Sequence, residues 1–103
     1  MTKEVVWTWS AEADLQDLFQ RADSASPDGV LSLLIQIEAA TKMLSVFPLL
    51  APKWNLSIRR LLIQKANLGL FYVPEPRGIV VIGLADLRQH PDGIAEQILR
   101  RLP

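Results

Sequence analysis

The stretch SIRRLLIQKANLGLFYVPEPRGIVVIGLADLRQHPDGI, residues 57–94, decides the fold of this chain. It contains three apolar runs separated by two segments rich in turn-forming residues. This spacing predicts a three-stranded antiparallel meander. Turns are expected at residues 65–67 and 74–78, because Asn, Gly and Pro suit the backbone angles of tight turns. The predicted strands are Ser57–Gln64, Gly69–Val73 and Ile79–Asp86.

The residues before the meander predict one strand and two helices. Alternating apolar residues favour a first strand over Glu4–Trp9, with Val5, Trp7 and Trp9 on one face. Ser10 is expected to cap a first helix that ends near Asp23. This helix should bury Leu15, Leu18, Phe19 and Ala22 and expose Asp14, Asp17 and Arg21.

Ser26, Pro27 and Asp28 indicate a second helix that runs to about Val46. One apolar face is expected at Val30, Leu31, Leu34, Ile37, Thr41, Leu44 and Ser45, and it is extended by Leu33, Met43 and Phe47. The segment Pro48–Leu56 is expected to be a linker without regular structure, anchored by Trp54. After the meander, Pro91 and Asp92 predict a final helix over Gly93–Leu102.

These elements predict an α+β fold in a single domain, residues 1–103. A small antiparallel sheet, formed by the first strand and the meander, is covered by the N-terminal helical pair. A short helix ends the chain. The length of 103 residues suffices for one core and not for two.

Composition narrows the classes of function. The chain has no cysteine and one histidine, which excludes disulfides and thiolate metal sites and argues against a zinc site. No metal or other cofactor is expected. No apolar window approaches the roughly 20 residues of a membrane span, and the N-terminus lacks a signal-peptide pattern. We therefore expect a cytoplasmic protein that does not bind membranes.

Charge is unevenly distributed along the chain. The formal net charge is zero, but residues 1–50 carry three basic against seven acidic side chains and residues 51–103 carry eight against four. This asymmetry could orient the molecule towards an anionic partner. The simpler interpretation is a mixed surface that keeps a neutral protein in solution.

Several short motifs occur in an order that resembles the RelE/ParE superfamily of toxins from bacterial toxin-antitoxin operons. Trp7-Thr8 is followed by Ala11 and Asp14-Leu15, as in the first strand and helix of that family. The second strand begins with an Ile-Arg-x-Leu run, and an aromatic-Tyr strand follows. The matching residues are Ile58-Arg59-Arg60-Leu61, Phe71-Tyr72 and, at the end of the last strand, Arg88-Gln89-His90-Pro91.

The resemblance implies one of two activities. RelE-like members cut messenger RNA on the ribosome, and ParE-like members are associated with poisoning of DNA gyrase. RNA cleavage needs a base, positive charge at the phosphate and a proton donor. Arg88 corresponds to the arginine after the last strand, but Gln64 and Gly69 stand where nuclease members carry arginine, and the final helix has no tyrosine. If the chain is a nuclease, its candidates are Arg88, His90 and Lys65.

The sequence therefore favours a ParE-like toxin that acts by binding. The runner-up is a RelE-like ribosome-dependent endoribonuclease, and a third interpretation is a degenerate, non-toxic interaction protein. Arg59 and Arg60 should point to opposite faces of their strand, and the inward one is expected to pair with Asp14, Asp17 or Glu38. The predicted target-binding residues are Arg59, Arg60, Lys65, Arg88 and His90.

The resemblance also implies protein partners. A cognate antitoxin is expected to bind the toxin, and DNA gyrase or the ribosome is expected as the target. The toxin could form a homodimer, or a heterotetramer with the antitoxin. The broad apolar surface of the second helix suits an antitoxin segment. The predicted antitoxin-binding residues are Leu33, Ile37, Met43, Phe47 and Trp54.

Overall fold

The computed structural model describes residues 2–25 and 28–102. Strands and helices follow one another in the order expected for an α+β fold, with one additional short strand. The elements are β1 (Glu4–Trp7), α1 (Trp9–Ala25), α2 (Gly29–Val46), β2 (Lys53–Asn55), β3 (Ile58–Ile63), β4 (Leu68–Glu75), β5 (Gly78–Asp86) and α3 (Pro91–Leu99).

The sheet has five strands in the order β1-β5-β4-β3-β2. The predicted meander is confirmed, since β3, β4 and β5 pair antiparallel in sequence. The prediction of a wholly antiparallel sheet is wrong, because β1 runs parallel to β5 with Val5 opposite Ile79. The chain leaves β1 through two helices and the first strands of the meander, and this long connection allows a parallel pair.

The segment expected to be an irregular linker contains β2, which pairs antiparallel with β3. Lys53 lies opposite Arg59, and the N–H of Arg60 donates to the carbonyl of Pro52 at 3.2 Å. The prediction for this segment is therefore wrong in part. Proline is tolerated here because β2 is an edge strand and Pro52 precedes it.

The second of the two turns of the meander, but not the first, is tighter than the sequence indicated. A single 3-10 turn over Gln64–Ala66 follows β3, and Asn67 closes it in the left-handed region with φ of 57°. Asparagine is one of the few residues that adopts this conformation at low cost. In the second turn only residues 76–77 are unpaired, because Glu75 already lies opposite Gly78.

Helix α1 begins two residues earlier than predicted. The hydroxyl of Thr8 accepts the N–H of Ala11 at 3.1 Å, so Thr8 is the cap in place of Ser10. Trp9 consequently belongs to the helix and not to the first strand, and its side chain is 90% exposed. The helix continues to Ala25 rather than Asp23.

Helix α2 ends at Val46 as predicted. The predicted start at Ser26 and Pro27 lies outside the described residues. The buried face differs in part from the predicted one. It consists of Leu33, Ile37, Ala40 and Leu44. The apolar pattern surrounds this helix, so the sequence could not indicate which stripe faces the sheet.

Two apolar cores lie on opposite faces of the sheet. The larger one joins α1 and α2 to the sheet through residues such as Ala11, Leu44 and Tyr72. The stripe predicted on α1 is confirmed, since Leu15, Leu18, Phe19 and Ala22 pack against this core. The smaller core joins α3 to the reverse face through Ile58, Phe71, Ile82, Ala85, Ile94 and Ile98.

A side-chain ion pair completes the edge of β5 beyond the short strand β1. Asp14 Oδ2 accepts the N–H of Leu84 at 2.9 Å, and Arg101 Nη1 donates to the carbonyl of Ile82 at 3.0 Å. Asp14 and Arg101 also bind each other, with their side chains 14% and 19% exposed. The expectation that Asp14 is exposed on α1 is therefore wrong.

By length and composition alone, α2 could cross a membrane, so the prediction that no apolar window approaches the length of a span is wrong. This is weak evidence, because the core helix of a globular domain passes the same test. Here Leu33, Ile37, Ala40 and Leu44 bind α2 to the sheet. The cytoplasmic location stays a prediction.

Candidate functional site

Lys65 and Arg88 line one cavity at the end of the sheet where α1 and α2 meet it. The cavity volume is about 330 Å³. The N–H of Leu87 donates to the carbonyl of Asn67 at 2.9 Å, and this bond holds the end of β5 against the turn after β3. The two predicted cations are brought together because they flank these bonded residues.

Arg88 is held by a carboxylate from its own strand end. Its Nη2 lies 2.7 Å from Asp86 Oδ2, and its Nε lies 3.0 Å from Asp86 Oδ1. The side-chain hydrogen bond from Arg88 lowers the pKa of Asp86, and the same bond raises the pKa of Arg88. The charge of Arg88 is therefore partly compensated before any ligand arrives.

His90 does not line this cavity. It is the cap of α3, where its Nδ1 accepts the N–H of Asp92 at 3.1 Å. Its side chain is 76% exposed. The structure therefore brings Lys65 and Arg88 together at one cavity and places His90 outside its lining.

Arg59 holds a loop together and is not a free cation. Its Nη1 donates to the carbonyl of Ala51 at 2.7 Å and to that of Leu49 at 3.4 Å. No described carboxylate forms an ion pair with it, so the expected partner among Asp14, Asp17 or Glu38 is wrong. Backbone carbonyls of the loop occupy that position instead.

Tyr72 holds the same loop from β4. Its hydroxyl donates to the carbonyl of Pro48 at 2.7 Å, and Tyr72 lies opposite Arg59 across the strand pair. Burial raises the pKa of this hydroxyl. Both side chains therefore fix the segment between α2 and β2, and neither is available as a catalytic group.

Arg60 belongs to the opposite face of β3, as the alternation predicted. It lies opposite Phe71, which is in the core beneath α3. It therefore cannot combine with Lys65 and Arg88 in one surface. The five predicted target-binding residues are distributed over two faces and one helix terminus.

The predicted antitoxin-binding residues are also divided. Leu33 and Ile37 are buried in the core at 8% and 3% exposure, which is a correction to their predicted role. Trp54 makes an edge-to-face contact with Phe71 on the face of the sheet that α3 covers, and the two ring centroids are 4.7 Å apart. Met43 and Phe47 stay accessible at 50% and 60% exposure.

Other apolar side chains supply the surface that Leu33 and Ile37 were expected to form. They project from α2 and the following segment, and they define what is here called the outer face of α2. Its members are Leu31, Leu34, Ile35, Met43, Val46, Phe47, Leu49 and Leu50, which are 38–64% exposed. Exposed Glu38 and Lys42 lie between the two ends of this face. Large exposed apolar side chains in such numbers typically mark an interaction site.

Two exposed features escaped the sequence interpretation. Trp9 was assigned to a strand, although Thr8 followed by Ala11 and Glu12 is itself a helix-start pattern. Leu56 is 71% exposed and has φ of 51° in the turn between β2 and β3. No sequence signal indicates that a leucine adopts this conformation.

Within residues 2–25 and 28–102, no group of three or more His, Asp or Glu side chains is placed to hold a metal ion.

Comparison with known proteins gives a similarity of fold. No family model and no curated protein matches the sequence. A chain in the structure of the chromosomal ParDE TA system from P. aeruginosa matches with a TM-score of 0.72 and 19% identity, over 84% of this chain and 97% of that chain. The chain therefore has the fold implied by its resemblance to the RelE/ParE superfamily.

Proposed function

We propose that this chain is the toxin of a type II toxin-antitoxin system and that it acts in the ParE-like manner, by binding a cellular target such as DNA gyrase. The observation that carries the proposal is the similarity to a chain of a ParDE system over 97% of that chain. The motif order from Trp7-Thr8 to Arg88-Gln89-His90-Pro91 supports it independently.

The arrangement of polar groups favours binding over RNA cleavage. General acid-base cleavage needs a base and a proton donor within hydrogen-bond reach of one phosphate. Tyr72 is buried beneath Pro48 and its pKa is raised, His90 caps α3 away from the cavity, and Arg88 is bound to Asp86. These groups do not surround a common reacting atom.

The same proposal includes a cognate antitoxin. The outer face of α2 is the surface best suited to it, because apolar side chains stay exposed at the start of the helix, at positions 31 and 35, and at its end, at positions 43, 46 and 47. An amphipathic segment could cover these two groups by packing its own apolar residues against them. Met43 and Phe47 remain from the predicted set, and Leu31 and Ile35 take the place of Leu33 and Ile37.

The activity is tested by inducible expression in a bacterial host, together with two assays on purified chain. The proposal expects arrested growth, inhibition of supercoiling by purified gyrase and intact messages. Ribosome-dependent cleavage that disappears in Arg88→Ala would support the nuclease instead. Unaffected growth at confirmed soluble expression would contradict a toxic function altogether.

The partner is tested by co-expression with the product of the adjacent reading frame. A stable complex that restores growth is expected, and Ile35→Asp combined with Phe47→Asp should weaken it. Leu56→Asp is the control, because Leu56 is exposed at a turn and not on the outer face of α2. Absence of a complex, or equal weakening by the control, would contradict the assignment of this surface.

A further inference from the structure

A further cavity lies on the reverse face of the sheet, beside the end of α3, and its volume is about 320 Å³. Helix α3 covers only part of this face. Val5 and Trp7 pack against the larger core, so the alternation along β1 directs Val6 to the reverse face. Val6 lies opposite Val80 and is still 46% exposed. The cavity therefore belongs to the uncovered part of the reverse face, across the sheet from the helical pair.

The floor of this cavity is apolar. Val73, Val80 and Ile82 contribute to it from β4 and β5, and Leu102 lines it after α3. Val73, Val80 and Leu102 are half-buried and pack against the smaller core. Ligand pockets are mostly apolar and have volumes of about 300–1,000 Å³. This cavity is at the lower end of that range, so it suits a small molecule with a short apolar body.

Glu75 gives the lining of this cavity a charge that no described group compensates. Its side chain is exposed and takes part in no ion pair or hydrogen bond within residues 2–25 and 28–102. Arg101, the other charged residue of the lining, is bound to Asp14. The hydroxyl of Ser57 also lines the cavity and has no hydrogen-bond partner in the same part of the chain. A carboxylate and a hydroxyl without partners are acceptors that suit an ammonium group, which has three donors and no acceptor.

Two cations lie close to Glu75 in the chain or in space, but neither lines the cavity. Lys3 Nζ donates to the carbonyl of Pro76 at 2.9 Å, and Arg77 is exposed in the turn between β4 and β5. Neither forms an ion pair with Glu75. Exposed charges that are not in contact interact weakly through water and salt, so direct contact with the carboxylate decides which ligand charge is favoured.

We propose that this cavity binds a small organic cation, a primary amine with an apolar body of about five or six carbon atoms. The ammonium group donates to Glu75 and Ser57, and the carbon chain lies on Val73, Val80 and Ile82. The uncompensated carboxylate disfavours phosphates and nucleic acids, and the small volume disfavours a larger ligand. The proposal holds whether or not the chain is toxic.

The test uses hexylamine and the purified full chain labelled with ¹⁵N, and NMR chemical-shift changes report binding. Saturable changes are expected at the amides of residues 57–58, 73–75 and 80–82. Hexan-1-ol lacks the charge and should bind about threefold more weakly, and hexanoate should bind more weakly still. The proposal is overturned if the three probes bind equally or if the changes lie on the outer face of α2 instead.

A charge variant separates contact with Glu75 from general attraction. Glu75→Gln keeps the shape of the side chain, so it should lower the affinity for hexylamine about threefold and leave that for hexan-1-ol unchanged. Glu38→Gln is the matched control, because Glu38 is exposed on α2 and α2 packs on the other face of the sheet. Equal weakening by the two variants would overturn the assignment of Glu75.

A second variant fills the cavity. Val80→Phe places a ring over its floor, so it should abolish binding of hexylamine and hexan-1-ol alike while the circular dichroism spectrum stays unchanged. A folded Val80→Phe variant that binds hexylamine as the wild type does would overturn the proposal. If this variant does not fold, the positions of the shift changes and the Glu75→Gln result decide. Growth assays play no part in this test, so its failure would be distinct from failure of the proposed function.

Discussion

The edge of β5 and the outer face of α2 both present groups that a partner could cover, but the chain covers only the first of them itself. At β5, Asp14 and Arg101 bind the free N–H of Leu84 and the free carbonyl of Ile82. On α2, side chains such as Leu31 and Ile35 stay more than half exposed. One region is complete in the free chain and the other is open.

The difference follows from the cost of each kind of exposure. A buried backbone group without a partner costs about 1–3 kcal/mol, and an open strand edge also invites pairing with other chains. An exposed apolar side chain forfeits burial energy but leaves no unmet hydrogen bond. The chain therefore closes its polar edge internally and leaves an apolar face exposed.

The largest loss of stability is expected from a substitution at the closed edge of β5. Asp14→Ala leaves Arg101 without its carboxylate and removes the acceptor of the Leu84 N–H, so the free energy of unfolding should fall by about 3 kcal/mol. Asp17→Ala, on the same helix, breaks only the exposed pair with Arg21 and should cost less than about 1 kcal/mol. Urea unfolding measures both. Equal losses would contradict the role given to Asp14.

The next prediction concerns the half of the β5 edge that β1 covers. A Cβ at Gly78 would collide with the backbone carbonyl of Glu4, so Gly78→Ala should push β1 away and cost about 2 kcal/mol. Gly93→Ala is the control, because a Cβ there meets nothing within 4 Å. It should stabilise α3 by about 0.5–1 kcal/mol. Thermal unfolding measures both variants. If Gly78→Ala were more stable than Gly93→Ala, β1 would not be packed closely against β5.

A smaller loss of stability is expected from a substitution that releases the loop after α2. Tyr72→Phe removes the hydrogen bond to Pro48 and should cost about 1 kcal/mol. Burial raises the pKa of Tyr72 in the folded chain above its value in the unfolded chain, which is about 10. The neutral hydroxyl therefore stabilises the folded wild type fully below about pH 10. This contribution is lost as the pH rises through the higher pKa of the folded chain.

The pH dependence provides the check on Tyr72. Urea unfolding at pH 8 and pH 10.5 should show a larger loss of stability in the wild type than in Tyr72→Phe. Lysine titration contributes to both proteins and cancels in the comparison. Parallel losses would mean that the hydroxyl is not shielded as described.

The smallest effect is expected on the open face itself. Ile35→Ala should change the free energy of unfolding by no more than about 0.5 kcal/mol, because the side chain is 57% exposed. Ile37→Ala, two residues further along α2, removes a side chain that is 3% exposed and should cost about 3 kcal/mol. If Ile35→Ala were as costly as Ile37→Ala, α2 would be packed on both sides and the face would not be open.

Local signals predicted much of the fold. Apolar runs and turn residues gave β3, β4 and β5 because neighbouring strands in a meander pair with one another. Pro91 correctly indicated the start of α3, and Ile94 and Ile98 its buried stripe. The direction of β1 was missed because strand orientation depends on where a long connection returns. The Asp14 and Arg101 pair was missed because 87 residues separate its members.

The site was predicted less completely than the fold. Lys65 and Arg88, both predicted to bind a target, lie at one cavity because both follow the ends of strands that meet at one edge. His90, predicted with them, lies beyond that edge because it caps α3. The role of all three stays a prediction. Leu33 and Ile37 were assigned to the exposed surface because a helix that is apolar all round gives no periodic signal for its buried side.

Hydrogen exchange of the chain, free and in complex with the product of the adjacent reading frame, tests most directly whether the molecule has one closed edge and one open face. We expect the amides of residues 29–50 to gain protection in the complex and those of residues 82–86 to stay unchanged, since Asp14 and Arg101 already cover that edge. New protection at residues 82–86, with residues 29–50 unaffected, would contradict the account.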